Sequence, residues 1–263
     1  MDSDIEYVDD NESSFCSLWS RIHKKIDCVE LFSNPNLGDD YFFNRLNISN
    51  RCGNVDDILN LIKHNYAFNL NSYYIHIICD NENSIILNKR KFGTMKILSL
   101  DVNEYVMHSG KHIKVDLANK NDLNEWIDVF CRSFDSLRIR NEVTTIISKQ
   151  FKKLTLLLAN YYLNQEKYPA GCCLLYEKNE RIGLYCLGTI QHFRRKGIAR
   201  ELINNAVKMA KNKGYNSMIV QTLIEEGYED FYKKLGFKTI YKKMLYTLPK
   251  LDEAFNVGFR VHL

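Results

Sequence analysis

The chain has 263 residues, of which 45% are hydrophobic and 26% charged, and its formal net charge is +4. This length fits one large domain or two small ones, and the composition is that of a globular protein rather than a disordered one. No apolar run reaches the roughly eighteen residues of a membrane span, and the opening stretch MDSDIEYVDD lacks the features of a signal peptide. We therefore expect a cytoplasmic protein with no membrane partner.

The first part of the chain is predicted to alternate between helices and strands. Helical spacing predicts a helix over 13–33, capped by Ser13 or Ser14, and an amphipathic helix over 54–66. The segment NENSIILNKRKFG is predicted to form a helix that closes at Gly93. Strands are predicted for YFFNRLNI, SYYIHIIC and TMKILSLDV.

A turn at HSGK separates this part from a second run of elements, so the sequence predicts domains at 1–108 and 109–263. The second domain begins with the strand KHIKVDLA, a helix capped by Asn121 and a helix over 140–152. Three apolar strands follow, then a helix to Asn212. The strand SMIVQTL, the helix YEDFYKKLG and the strand FKTIYKKMLYTL complete the order β-α-α-β-β-β-α-β-α-β.

The eight cysteines are scattered, and none forms a C-x-x-C pair or lies at ligand spacing from a histidine. Several of them fall within apolar runs such as IHIIC and AGCCLLY. This pattern favours buried, reduced thiols and argues against a metal site, so no metal cofactor is expected.

Basic residues concentrate in 187–250, which fits either a nucleic acid or one phosphorylated ligand. Aromatic residues are not interleaved with them as in RNA-binding sequences, so no nucleic acid partner is expected. The stretch FRRKGIAREL crowds cations beside Gly197, where an amphipathic helix starts. A helix N-terminus already carries partial positive charge, so this pattern indicates a bound anion, most naturally a pyrophosphate.

The same stretch resembles the acyl-CoA loop of the GNAT (Gcn5-related N-acetyltransferase) superfamily, whose pattern is Q/R-x-x-G-x-G/A. Arg194, Gly197 and Ala199 fill that pattern. Downstream, GYEDFYKKLGF resembles the family's tyrosine four residues before Gly-Phe, here Tyr232. The resemblance covers about residues 111–250. It implies an α/β (α+β mixed sheet) fold, with a twisted, mostly antiparallel sheet flanked by helices, whose fourth and fifth strands splay apart.

The resemblance also implies a site for acetyl-CoA as acyl donor. Backbone N–H groups near Leu187, Gly188, Thr189 and Ile190 would hold the pantetheine arm and polarise the thioester carbonyl. The pyrophosphate would be wrapped by the loop and the start of the helix, that is by Arg194, Arg195, Lys196, Gly197, Ile198, Ala199 and Arg200.

Tyr232 would protonate the departing CoA thiolate, although its position on an apolar helix face also fits a core tyrosine. Many relatives carry Asn seven residues before this tyrosine, whereas this chain has Glu225. Glu225 is the candidate base, with Tyr185 and Glu142 as further candidates.

The leading interpretation is an N-acetyltransferase that moves acetyl from acetyl-CoA directly to a primary amine of a small molecule. The alternatives are a protein lysine or N-terminal acetyltransferase, and a non-catalytic acyl-CoA-binding regulatory module. Residues 1–108 are interpreted as a degenerate GNAT-like domain or an unrelated α+β domain. A monomer or a homodimer is expected, and nothing in the sequence names the acceptor.

Overall fold

The computed structural model describes residues 3–26, 28–49, 73–79, 90–107, 110 and 112–248. The helix predicted over 54–66 lies outside them. In the described residues, five α-helices and eleven strands form, and no helix is long and apolar enough to cross a membrane.

The chain folds into two compact units, and neither is one continuous segment. The first unit comprises Met1–Leu18, Ile97–Thr222 and Tyr228–Ile240; the second comprises Trp19–Lys96, Leu223–Gly227 and Tyr241–Leu263. The division at 108 that the sequence suggests stays a prediction about domain organisation.

The first unit contains a mixed sheet in the strand order β11-β5-β10-β9-β8-β7-β6. Its neighbours from β6 to β9 run antiparallel, and β9 and β10 run parallel. The strands are β5 (Arg90–Asp101), β6 (Ile113–Leu117), β7 (Thr155–Leu163), β8 (Glu166–Lys178), β9 (Arg181–Thr189), β10 (Ser217–Leu223) and β11 (Lys238–Leu248), of which β5 and β11 also contribute residues to the second unit.

Helices accompany this sheet: α1 (Ser3–Trp19), α2 (Leu123–Ser133), α3 (Arg140–Gln150), α4 (Ile198–Asn212) and α5 (Glu229–Lys234). The predicted fold class, a mixed α/β fold with a mostly antiparallel sheet, is confirmed.

The core of the first unit forms where α4 packs on the sheet. Leu202, Ile203 and Ala206 of α4 are fully buried, at 0% exposure, because the apolar residues of this helix recur at helical spacing. They join Ile182 and Leu184 of β9 in one apolar cluster. Burying each large aliphatic side chain contributes about 1.5–3 kcal/mol, so this contact fixes the strand and the start of the helix relative to each other.

The second unit is built mainly of strands. β1 (Ile22–Ile26) pairs antiparallel with β2 (Val29–Ser33), β2 pairs antiparallel with β3 (Arg45–Ile48), and β3 pairs parallel with β4 (Tyr73–Cys79). The C-terminal part of β11 pairs antiparallel with β4. The predicted strands in YFFNRLNI and SYYIHIIC are therefore confirmed.

Several predictions of local structure are wrong. The helix predicted over 13–33 ends at Trp19 and a β-hairpin follows, because β-branched residues on both sides of a turn favour paired strands. Gly93, predicted to close a helix, lies within β5, as do 90–92; the earlier part of that segment, 81–89, is not among the described residues.

Two smaller predictions are also wrong. Asn119, rather than Asn121, provides the capping side chain before α2: it accepts the Asn121 N–H, and Asp122 completes the capping box. Cys28 is disulfide-bonded, whereas Cys16, Cys131, Cys172, Cys173 and Cys186 are free thiols as expected.

Candidate active site

Strand β9 contains a β-bulge near its centre. Cys172 of β8 lies opposite Gly188, but Leu174 lies opposite Tyr185, so Cys186 and Leu187 together face Cys173. Cys186 has φ of 54°, a left-handed conformation that costs a non-glycine residue about 1–3 kcal/mol. The sequence contains no signal for this bulge, because glycine would be the usual residue there.

Strands β9 and β10 share only a short register. Met218 lies opposite Ile182 and Ile219 opposite Gly183, although the strands continue to Thr189 and Leu223. The strands of this pair therefore part beyond Gly183, as the family resemblance implies.

The backbone at the end of β9 alternates between two edges. The Ile190 N–H donates to the Ala170 carbonyl at 3.0 Å, so this group is already paired toward β8. Successive residues of a strand direct their N–H groups to opposite edges, so Leu187 and Thr189 direct theirs away from β8. Of the residues predicted to hold the pantetheine arm, these two have the suitable direction.

Gly188 is required by packing. A Cβ at this position would lie 2.6 Å from the Cβ of Ser133 and 2.9 Å from the Phe134 ring. The C-terminal end of α2 therefore lies directly against β9, and only glycine allows that approach.

The basic loop that follows β9 ends in a left-handed glycine. After the 3-10 turn Gln191–Phe193, Gly197 has φ of 86° and forms the N-cap of α4. A Cβ there would have only the Ile113 side chain nearby, at 3.8 Å, so the need for glycine comes from the backbone angle and not from lack of space.

The start of α4 presents unused backbone donors. The first intrahelical bond is donated by Glu201 to the Gly197 carbonyl at 3.0 Å. The N–H groups of Ile198, Ala199 and Arg200 precede it and point out of the helix end. N–H groups at a helix start, together with the helix dipole, can bind an anion.

The four cations of this segment have different environments. Arg194 donates from Nε to the Thr189 carbonyl and from Nη2 to the Ser133 carbonyl, both at 3.2 Å, so its side chain ties the loop to α2. The Nζ of Lys196 lies 4.9 Å from the centre of the Tyr161 ring. Arg195 and Arg200 are exposed beside the helix N-terminus.

Tyr232 lies on the short helix α5 and is 8% exposed. Its ring packs edge-on against Phe237, with 5.5 Å between ring centres, and belongs to the apolar cluster under α4. Gly236, at φ of 92°, ends the helix, and the Phe237 N–H donates to the Tyr232 carbonyl. The structure thus places Tyr232, β9 and the basic loop in the same unit.

The candidate bases have partners of their own. Glu225 belongs to the second unit, where both carboxylate oxygens accept the Thr94 N–H at 3.1 Å. Glu142 is buried on α3, at 8% exposure. Tyr185 of β9 donates its hydroxyl to the Asn11 Oδ1 at 2.8 Å.

Asn11 is a residue that sequence reasoning missed. It lies on α1 and is 0% exposed, yet it contacts β9 across a large separation in sequence. A polar residue inside a helical pattern gives no sign of such a distant partner, so no signal in the sequence could have found it.

Two further features of the structure bear on the site. No cluster of His, Cys, Asp and Glu that could hold a metal ion is found within the described part of the chain. A cavity of about 740 Å³ lies in the first unit beside Leu100, Tyr105 and Leu235, and none of the predicted site residues lines it.

Comparison with known proteins adds to this geometry. Residues 123–237 match the Acetyltransferase (GNAT) family. A human protein described as N-acetyltransferase 8B is 26% identical over 87 residues, which make up 33% of this chain and 38% of that protein. The chain therefore matches well under half of that relative's length.

Solved structures share the fold. A GCN5-related N-acetyltransferase from Kribbella flavida has a TM-score of 0.67 and 10% identity, with 95% of this chain and 98% of that one covered. A tandem GNAT protein from the clavulanic acid biosynthesis pathway has a TM-score of 0.52 and 8% identity, with 78% and 74% covered. At such low identities these structures are evidence of the fold alone.

The matched residues run from the start of α2 to the residue after Gly236, and so include the bulged strand, the left-handed glycine and Tyr232. Over these residues the chain is similar to the GNAT family of acetyltransferases.

Proposed function

We propose that this protein is an N-acetyltransferase that transfers acetyl from acetyl-CoA directly to a primary amine of a small molecule. The observation that carries the proposal is the start of α4, where a left-handed Gly197 exposes successive N–H groups beside Arg195 and Arg200. Such a helix start binds a pyrophosphate through backbone donors, the helix dipole and adjacent cations.

The bulged strand would bind the other end of the donor. We take the N–H groups of Leu187 and Thr189 to point away from β8, as strand alternation predicts from the Ile190 bond, toward the edge where the register with β10 has ended. Donors held in a strand lose little freedom when they bind a pantetheine amide or a thioester oxygen. One well-placed donor to a developing oxyanion lowers a barrier by about 3 kcal/mol.

Acetyl-CoA supplies an activated thioester. In the transfer the nitrogen–carbon bond forms as the carbon–sulfur bond breaks, while the amine loses a proton and the thiolate gains one. We assign the proton donor to Tyr232, since a buried hydroxyl in the same unit as the loop can reach a dry site. The assignment of Glu225 as base stays a prediction, because its carboxylate accepts the Thr94 N–H within its own unit.

The acceptor class draws support from one relative. The human protein similar to this chain is described as an N-acetyltransferase, which fits an amine acceptor.

Two other functions remain as alternatives: acetylation of a protein lysine or N-terminus, and acyl-CoA binding without catalysis. We also keep the cytoplasmic location, the monomer or homodimer, and the lack of a nucleic acid partner as predictions.

The second unit fits a degenerate GNAT-like domain, which would make the chain a tandem form. Its support is the similarity to a tandem GNAT protein. An unrelated α+β domain is the alternative.

Two measurements test the function. Calorimetry with CoA tests binding, and a thiol-release assay with acetyl-CoA screens amines, amino acids, aminoglycosides and lysine peptides. We expect CoA binding and turnover with a small amine. Turnover only with peptides would favour a protein substrate, binding without turnover would favour a regulatory module, and no binding would refute all three.

The role of Tyr232 is tested by Tyr232→Phe, with Tyr228→Phe as control because Tyr228 is 50% exposed just before the same helix. Loss of a general acid lowers kcat by about 100-fold or more without weakening CoA binding. Equal turnover in the two variants would instead make Tyr232 a core residue only.

A further inference from the structure

Helix α1 packs against the strand that carries the bulge. Residues up to Leu18 belong to the first unit, together with β8 and β9. The Phe15 ring stacks on the Tyr185 ring with 3.9 Å between their centres and 10° between their planes. Both rings are buried, so the stacking fixes the Tyr185 side chain on one face of β9.

Asn11 holds the other end of the same tyrosine. Its Oδ1 accepts the Tyr185 hydroxyl at 2.8 Å, and its Nδ2 lies within 3.5 Å of the carbonyl oxygens of Tyr176, Lys178 and Arg181. This amide is 0% exposed, and both of its ends are satisfied by β8 and β9. A buried polar group with all its partners in place specifies one arrangement of them.

Gly183 lies directly against the side chains of Tyr185 and Asn11. A Cβ at this position would lie 2.3 Å from the Tyr185 ring and 2.6 Å from the Asn11 Oδ1. The strand therefore leaves no side chain between itself and the pair, and the pair lies directly over the point where β9 and β10 separate.

The bulge follows Tyr185 immediately. Cys186 adopts its left-handed conformation at the next position, and Gly188 is pressed against the end of α2 two residues later. A strained bulge persists only where its surroundings hold it. Tyr185 is held on one side of the bulge and Gly188 on the other, which leaves Leu187 between two fixed points.

We infer that Asn11 and Phe15 are positioning residues, which hold Tyr185 and so keep the bulge in the conformation that directs the Leu187 and Thr189 N–H groups away from β8. This role rests on the proposed function, because those groups matter as donors to acyl-CoA. The N-terminal helix is then part of the catalytic unit, and Tyr185 acts as an anchored hydroxyl donor to Asn11 rather than as a base.

The test compares Tyr185→Phe with a matched control, Tyr105→Phe, in the full chain. Tyr105 is also buried in the first unit and donates to an asparagine Oδ1, that of Asn204, at the same 2.8 Å. The variants therefore lose equivalent hydrogen bonds and should lose similar thermal stability. Asn11→Ala is a second variant that removes the anchor from the other side.

Hydrogen exchange over residues 184–190 is the first measurement. We expect exchange there to be about 10-fold faster in Tyr185→Phe and within 2-fold of wild type in Tyr105→Phe, because only the former loosens the bulge. Added CoA should slow exchange at 187–190 in the wild type and the control, and should slow it much less in Tyr185→Phe. Equal exchange in both variants overturns the inference, whatever their turnover.

Turnover is the second measurement. Tyr185→Phe should lower kcat about 10-fold, whereas the Kd for CoA should rise less than 10-fold, since the strand contacts are loosened but the basic loop is unaltered. Faster exchange with unchanged kcat and unchanged CoA protection would mean that Asn11 and Phe15 stabilise the fold without positioning the bulge for catalysis. This result would also overturn the inference. A wild type that does not bind CoA refutes the proposed function instead, and exchange in the free protein still decides whether Asn11 and Tyr185 hold the bulge.

Discussion

Two groups of cations, one in each unit, lie in opposite environments. In the first unit Arg195, Lys196 and Arg200 lie exposed around the N-terminus of α4. In the second unit Arg45 and Lys243 are 0% and 1% exposed. Cations beside the positive end of a helix are unfavourable by themselves, and this fits the proposed phosphate ligand.

The buried cations have partners within the protein. Arg45 donates to the Asn47 Oδ1 at 2.8 Å and to the Phe42 carbonyl at 3.0 Å, and its guanidinium lies 4.7 Å from the centre of the Phe42 ring. A buried charge needs such contacts to offset the loss of water. The comparison teaches that basic residues indicate an anion site only where the fold leaves them unburied, which their count in a sequence cannot reveal.

Replacing Gly197 should have the largest effect. Valine at φ of 86° would force the start of α4 out of its conformation and would misdirect the backbone donors. We expect the Kd for CoA to rise about 100-fold, equivalent to about 2.7 kcal/mol, as measured by calorimetry.

The matched control is Gly214→Val. Gly214 also has a positive φ, 81°, and open space around it, but it follows the opposite end of α4. Both variants should lose similar stability, and only Gly197→Val should lose CoA. If both bound CoA like the wild type, the helix start would not be the pyrophosphate site.

Lowering the pH should destabilise the protein through His76, which lies near the buried cations of the second unit. His76 is 1% exposed, and its pKa lies well below the usual range because burial, Arg45 and Lys243 all disfavour a further positive charge, with the Tyr41 backbone opposing them. The unfolded chain, with an ordinary histidine pKa of about 6.5, therefore binds a proton more readily than the folded one. The contribution of uncharged His76 to the free energy of unfolding is therefore fully present above about pH 6.5 and is lost as the pH falls below that value.

The expected loss is about 1.4 kcal/mol for each pH unit below about 6.5, measured as the free energy of unfolding in denaturant. His76→Leu removes the proton uptake, so its stability should depend less steeply on pH between 7 and 5. His192→Leu is the control, because His192 is exposed in the first unit. Parallel pH curves for all three proteins would contradict this account of His76.

The sequence predicted the parts of the fold that depend on local signals. The helix ending at Asn212 and the strand SMIVQTL have the bounds that apolar spacing and a glycine before the helix indicate. The predicted helix does not form over 20–33, because the residues there fit both helical spacing and a β-hairpin. Pairing between the two strands stabilises the hairpin.

The candidate site also has parts that local sequence signals predict and parts that they do not. The loop at Gly197 is a contiguous motif, so the sequence alone is enough to predict an anion site there. The bulge at Cys186 and the contact from Asn11 to Tyr185 arise from strands and a helix that meet only in the fold. No spacing along the chain encodes them, so only the folded structure shows these contacts.

Removing single exposed cations should have the smallest effect. Arg195→Gln and Arg200→Gln leave the backbone donors of α4 in place and remove only a screened charge. We expect each to weaken CoA binding about 3- to 10-fold at low salt. Lys208→Gln, an exposed lysine further along the same helix, should change binding less than 2-fold. The difference should shrink at high salt, because ions screen an exposed phosphate contact far more than a backbone hydrogen bond. A loss that persisted at high salt would mean that Arg195 or Arg200 supports the loop itself, as Arg194 does through the Thr189 and Ser133 carbonyls.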